Sequence, residues 1–214
     1  DGEILMKKSV LLLDVDYTVI NTDSMIDFFI YSLKNKTFKT IIKLPYIIFI
    51  LFMYLIRIIP LKKAKEAIFY PIVDFSEEDL KKFFDDCIMK KINESMKKVI
   101  YKNKEEDNVI IMITASPYAY MKYFKYYGLA DEVIGTEFFY ENSRYKNKFI
   151  GENCKGIEKV KRIKAVLGKL GIEIDYENSY AYSDSKSDLP MLSLTKNAFL
   201  VSKKDGEVIE QINS

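Results

Sequence analysis

Histidine is absent from the chain. Its absence excludes Ser-His-Asp and Cys-His catalysis and H-E-x-x-H zinc chemistry, and it removes the usual general base near neutral pH. The two cysteines, Cys87 and Cys154, are too few for a disulfide framework and point to a reducing compartment, read here as the cytoplasm. Neither has an arginine six positions on, so a thiolate phosphatase loop is missing. The eight glycines form no G-x-x-x-x-G-K and no G-x-G-x-x-G. Catalysis by this chain must rest on carboxylates, lysines, hydroxyls and a metal.

The 33 basic and 31 acidic residues nearly cancel, and no basic stripe stands out, so no nucleic-acid partner is expected. With 214 residues, the chain can bury one sizeable core plus a smaller appended unit. The opening DGEILMKK has no signal-peptide apolar region, and the residues ahead of Met6 read as an added remnant.

The chain is organised around Ser9–Asn21, SVLLLDVDYTVIN. Its short apolar run reads as a strand buried on both faces, as in parallel sheets, and it ends in Asp14 and Asp16 with Thr18 close behind. Residues i and i+2 of an extended chain share a face, so both acids can aim at one spot beyond the carboxyl end of the strand, where open α/β sheets bind ligands. Asp23-Ser24 then caps an expected helix. Ile41–Ile59 is the most hydrophobic segment and is apolar all round. Lys43, Pro45 and Arg57 interrupt it, which favours a buried helix of a small helical unit over membrane-surface contact, and that over a true span. Ser76 begins another helix, with acids in its first turn, expected to continue to about Lys102.

From Val109 onward, strands alternate with helices. Strands are expected at Val109–Ile113, Val133-Ile134, Ser179–Tyr182 and Ala198–Val201. A hairpin is expected to turn at Glu141-Asn142-Ser143, and a helix over Gly156–Leu170. The tail from Lys203 reads as a surface extension. The fold class is therefore α/β, a Rossmann-like parallel sheet, with residues 1–20 and 106–214 as core and 21–105 as an inserted helical cap.

Three apolar strands end in polar clusters: Asp14/Asp16, Thr114/Ser116 and Asp184/Asp188. At one pole of a sheet these carboxylates would repel one another, and a hard divalent cation such as Mg²⁺ resolves that. D-V-D-Y-T, I-T-A-S, K-G-I-E-K and S-D-S-K-S-D-L-P-M-L resemble, in order and spacing, the motifs of the haloacid dehalogenase superfamily. The inserted helices make the chain most similar to its phosphoserine-phosphatase-like branch.

The resemblance implies a Mg²⁺-dependent phosphomonoester hydrolase. Asp14 would be the nucleophile that forms an aspartyl-phosphate, and Asp16 the general acid and then base. The metal would be held by Asp14, the Asp16 main-chain carbonyl and Asp184, with Asp188 orienting a water or the lysine. Thr114, Ala115 and a lysine would hold phosphate. Lys159 is favoured over Lys155 for that lysine, and Ser116 is read as a helix cap rather than a phosphate ligand.

Substrate choice falls to Tyr17, where glycine is common, and to Asp23, which aligns with a longer glutamate of true phosphoserine phosphatases. T-A-S replaces their S-G-G. The expected substrate is a small-molecule or lipid head-group phosphomonoester, with membrane-surface contact through the cap as an additional reading. A phosphotransferase of the same fold and a non-catalytic membrane-surface protein are the alternatives.

Overall fold

The computed structural model describes residues 5–212; all the residues read as a remnant except Leu5 lie outside it. In chain order the strands and helices begin with β1 (Met6–Lys8), β2 (Val10–Asp14), α1 (Ser24–Asn35), α2 (Thr37–Leu55), α3 (Leu61–Ile68), α4 (Glu77–Phe83) and α5 (Glu94–Glu105). They continue with β3 (Val109–Pro117), α6 (Tyr118–Met121), α7 (Tyr123–Tyr126), β4 (Glu132–Glu141), β5 (Arg144–Ile150) and α8 (Ile157–Lys169). The last are β6 (Ile172–Ile174), β7 (Tyr180–Ser183), α9 (Leu189–Leu192), β8 (Asn197–Val201) and β9 (Val208–Ile212).

Among the described residues the main sheet has seven strands in the order β5-β4-β3-β2-β7-β8-β9. The five inner strands are parallel, and the hairpin partner β5 and the C-terminal β9 close the edges antiparallel. β2 is the middle strand, paired with β3 on one side and β7 on the other. The three strands whose carboxyl ends carry the polar clusters are therefore immediate neighbours.

Period-2 alternation divides the apolar side chains between the two faces of the sheet. Leu11, Leu13, Ile110 and Met112 join one cluster, which includes Phe28, Phe75, Phe83 and Ile100 from the helices. Val10, Leu12, Ile111 and Ile113 join the other, with Ile163, Leu167 and Met191. Phe28 lies at the centre of the first, its ring 5.0 Å from Phe75, 5.3 Å from Phe83 and 5.5 Å from Tyr120. One apolar cluster thus runs from the sheet into α1, α4 and α5.

Several expectations need correction. The helix capped by Ser76 ends at Phe83 and passes through a π turn (Phe84–Ile88) and a 3-10 turn (Met89–Lys91) before α5 starts afresh. Ile92 and Asn93 are extended there because Ile20 pairs with Ile92, and the Asn93 N–H bonds the Val19 carbonyl at 2.8 Å. The tail from Lys203 lies at the surface as expected, but as an edge strand, since the exposed β9 pairs with β8. β4 runs through the short strand expected at Val133-Ile134 into the hairpin, whose Asn142 and Ser143 both have positive φ, as a two-residue type I′ turn demands.

The largest correction concerns α2. It was expected to be buried, yet only Thr40 and Ile47 are. A helix apolar all round carries no stripe to tell its inner face from its outer one, so periodicity could not locate the exposed side.

Candidate active site

β2 ends on Asp14, 7% exposed, at the floor of a 480 Å³ cavity. The walls of the cavity include Asp16, Tyr17, Asp23, Lys65, Ala115, Lys155, Lys159, Asp184 and Asp188. Lys159 is the central cation: its Nζ donates to Asp14 Oδ1 at 2.5 Å and to Asp188 Oδ2 at 2.7 Å, and the residue is 3% exposed. Local backbone geometry puts it there. Gly156 caps α8 at φ 57°, ψ −127°, a conformation a side chain would resist, and Lys159 lies on the first turn. Its N–H bonds the Gly156 carbonyl at 3.0 Å.

Burial pushes the Asp14 carboxyl up to about 7, against the pull of Lys159 and with the charges of Asp188 and Asp16 adding. Burial alone would lower the Lys159 ammonium, but Asp14 and Asp188 outweigh it and hold it above the ordinary lysine value. Among the described residues Asp14 Oδ2 meets only the Thr18 hydroxyl, at a long 3.4 Å. Thr18 Oγ1 also accepts the Asp184 N–H at 2.9 Å, which ties the end of β7 to the loop after β2. Lys203 approaches Asp184 Oδ2 at 3.3 Å and lies over the Tyr17 ring.

Asp16 is held from both sides. The Ser24 N–H, at the start of α1, donates to its Oδ1 at 2.8 Å. The hydroxyls of Thr114 and Ser116 donate to its Oδ2 at 3.0 and 2.7 Å.

The sequence profile of the haloacid dehalogenase-like hydrolases matches residues 11–193, most of the chain. The chain belongs to this family. No curated protein matches the sequence. Among solved structures, a protein of unknown function from Bordetella pertussis Tohama I superposes with a TM-score of 0.76 at 18% identity, over 92% of this chain and 91% of that one. A phosphoserine phosphatase in its apo form gives 0.61 at 14%, over 91% and 86%. A substrate-bound phosphoserine phosphatase gives 0.60 at 15%, over 92% and 87%. At these identities the likeness is one of fold.

In this haloacid dehalogenase-like hydrolase, Asp14, Asp16, Lys159, Asp184, Asp188, Tyr17, Asp23, Lys155 and Ala115 all face one cavity. Thr114 does not: it is fully buried behind the wall, oriented toward Asp16, and its Oγ1 accepts the Ser116 N–H at 2.9 Å. The pairing of β3 with β4 shifts register between Ile113 and Pro117, and Ser116 lines the cavity. Ser116 is not a helix cap either, since Pro117 occupies that position and the Ser116 hydroxyl is bonded to Asp16 and Ser24.

Asp23 is committed as the cap of α1, accepting the N–H groups of Met25 and Ile26 at 2.9 and 3.2 Å. Burial, with the charge of Asp16, raises its carboxyl.

Lys65 went unnoticed in the sequence. It follows two other lysines on a short amphipathic helix, and nothing local separates a lysine in a cavity from a solvated one. Here its Nζ donates to Asn153 Oδ1 at 3.0 Å, and burial lowers its ammonium below the ordinary value. A desolvated cation on a cavity wall suits an anionic group of a substrate. Lys65→Ala is expected to raise KM about tenfold, the loss of one charge-assisted hydrogen bond, with kcat little changed. Steady-state kinetics on the best available phosphomonoester would check this.

Proposed function

We propose that this hydrolase cleaves phosphomonoesters, small or lipid-linked, through a phosphorylated Asp14, with residues 21–105 acting as a cap over the cavity. The observation that carries the proposal is the buried Asp14–Lys159–Asp188 array at the carboxyl end of the central strand, open to a cavity that Asp16 and Asp184 share. A carboxylate needs no base to activate it, which suits a chain without histidine.

In the first step an Asp14 oxygen attacks phosphorus as the bond to the leaving alcohol breaks, and Asp16 supplies that alcohol with a proton. In the second step Asp16 takes a proton from water, whose oxygen attacks the same phosphorus. The bond between the Asp14 oxygen and phosphorus breaks, inorganic phosphate leaves, Asp14 is again a carboxylate and Asp16 again carries its proton. Thr114 and Ser116 fix Asp16 between these transfers, and their hydroxyls can turn as its charge changes. Lys159 holds Asp14 in place and offers positive charge to the equatorial phosphoryl oxygens. Lys155 lies at the cavity wall to assist.

The donor set fits a hard divalent cation. It consists of oxygens only, Asp14 is buried, and its Oδ2 makes a single long contact among the described residues. Among the described residues no three His, Cys, Asp or Glu side chains form a metal cage. The expected ligand set differs from such a cage, with the carboxylates of Asp14 and Asp184 and the main-chain carbonyl of Asp16. When bound, Mg²⁺ would neutralise charge on the phosphoryl group and lower the repulsion between it and Asp14.

The test is hydrolysis of an aryl phosphate. Activity should need Mg²⁺, vanish with a chelator and return when Mg²⁺ is restored. Turnover that persists unchanged in chelator would overturn the metal assignment.

A further inference from the structure

We infer that the outer face of α2, with the turn that leads into α3, is a docking surface for an anionic phospholipid bilayer. The exposed positions Phe38, Ile41, Pro45, Ile48, Phe52 and Leu55 of α2 follow one another at three or four residues and form one continuous stripe, with Phe49 beside it. Phe38 is 77% exposed, Ile48 63% and Leu55 78%. This reverses the usual arrangement, in which the apolar stripe of a surface helix faces the core.

The opposite face of α2 is anchored to the rest of the molecule. Ile47 is 2% exposed, the Thr40 hydroxyl donates to the Ser32 carbonyl at 3.1 Å, and Lys43 pairs with Asp74 at 2.5 Å. α2 is long and apolar enough to cross a membrane, 19 residues with a mean hydropathy of 1.8. With one face docked on its own fold, it is instead placed to lie in the plane of an interface.

Charge selects the occupant. Residues 28–65 carry eight lysines and arginines and no aspartate or glutamate, in a chain whose total charge is nearly balanced. Among the described residues Lys34, Lys39 and Arg57 have no acidic partner. An exposed apolar stripe on a stretch of chain whose only unpaired charges among the described residues are cations complements anionic headgroups above acyl chains. A second copy of the chain fits poorly, because a two-fold contact through this stripe would bring these cations toward one another. Tyr54 and Leu61, at the end of the surface, also line the active-site cavity. A docked bilayer would therefore lie beside the cavity mouth, a consequence that rests on the proposed function, whereas the docking itself does not.

Co-sedimentation with vesicles tests the inference. The protein is expected to pellet with phosphatidylcholine–phosphatidylglycerol vesicles and at least about tenfold more weakly with phosphatidylcholine alone, as expected if a few unpaired cations contribute. Phe49→Glu/Phe52→Glu should reduce pelleting by more than about tenfold, because each replaces an apolar anchor by an acid, and should keep the wild-type Tm because both sites are exposed. Lys39→Glu/Arg57→Glu should erase the preference for anionic vesicles, which keeps the test decisive if the first variant folds poorly. Asp14→Asn should pellet like the wild type, so failure of docking and failure of the catalytic proposal give different results. Equal absence of pelleting with both vesicle types would overturn the inference. So would a lipid-free dimer in analytical ultracentrifugation that Phe49→Glu/Phe52→Glu dissociates.

Discussion

Asp14→Asn is expected to lower kcat/KM for an aryl phosphate by at least about 10⁴-fold, the scale seen when a nucleophile is removed. The amide is nearly isosteric but presents no anionic oxygen to phosphorus. The fold should survive, because Lys159 keeps Asp188 as its partner and the substitution removes a carboxylate that burial already disfavours. Near-wild-type Tm together with lost turnover would assign the loss to chemistry. Full activity in a correctly folded variant would end the claim that Asp14 is the nucleophile.

Lys159→Ala should impair both activity and stability. Its ammonium is the only cation bonded to Asp14 and Asp188 among the described residues, and removing one partner of a buried ionic cluster costs about 3–5 kcal/mol. The kcat is expected to fall about 10²–10³-fold, the range for losing one preorganised donor to transition-state charge. Lys155→Ala should do less, since Lys155 lines the cavity without a bonded carboxylate among the described residues. The opposite ranking would exchange the roles of the two lysines.

The stability loss should also depend on pH. Burial raises the Asp14 carboxyl from its ordinary value of 3.8 to about 7, so the folded state holds its proton more tightly than the unfolded chain. That contribution is fully present below the unfolded value and fades as pH rises through the folded one. Without Lys159 the folded value climbs further. The deficit relative to wild type, measured by denaturant melts in chelator, should therefore be smaller near pH 5 than near pH 8.

The sequence made the site more legible than the surfaces around it. Asp14, Asp16, Asp184 and Asp188 stand where strands break, and period-2 alternation with strand-end chemistry points them to one pole, whereas Lys159 stands out only through the family resemblance. Thr114 shows where such reasoning stops. A register shift inside β3 puts its hydroxyl on Asp16, and no local residue pattern announces that shift. Lys65 and Lys203 reach the site from α3 and from the segment after β8, contacts made only by the folded chain. β1 and β6, three residues each, pair only with one another among the described residues and are too short for periodicity to mark. β9 escaped notice because V-I-E-Q-I neither alternates cleanly nor is buried. For α2 the composition was read correctly and the direction was not.

The central position of β2 has a cost during synthesis. Val10 and Leu11 leave the ribosome before their partners, Val109 on one flank and Tyr180 on the other, which lie 99 and 169 positions further along. At translation speeds of ~5–20 residues per second, the strand that carries the nucleophile waits roughly ten to thirty seconds for its second neighbour. Until then one edge of this four-residue apolar run stays unpaired, so the site that carries the nucleophile is completed only after the β7 segment has been made.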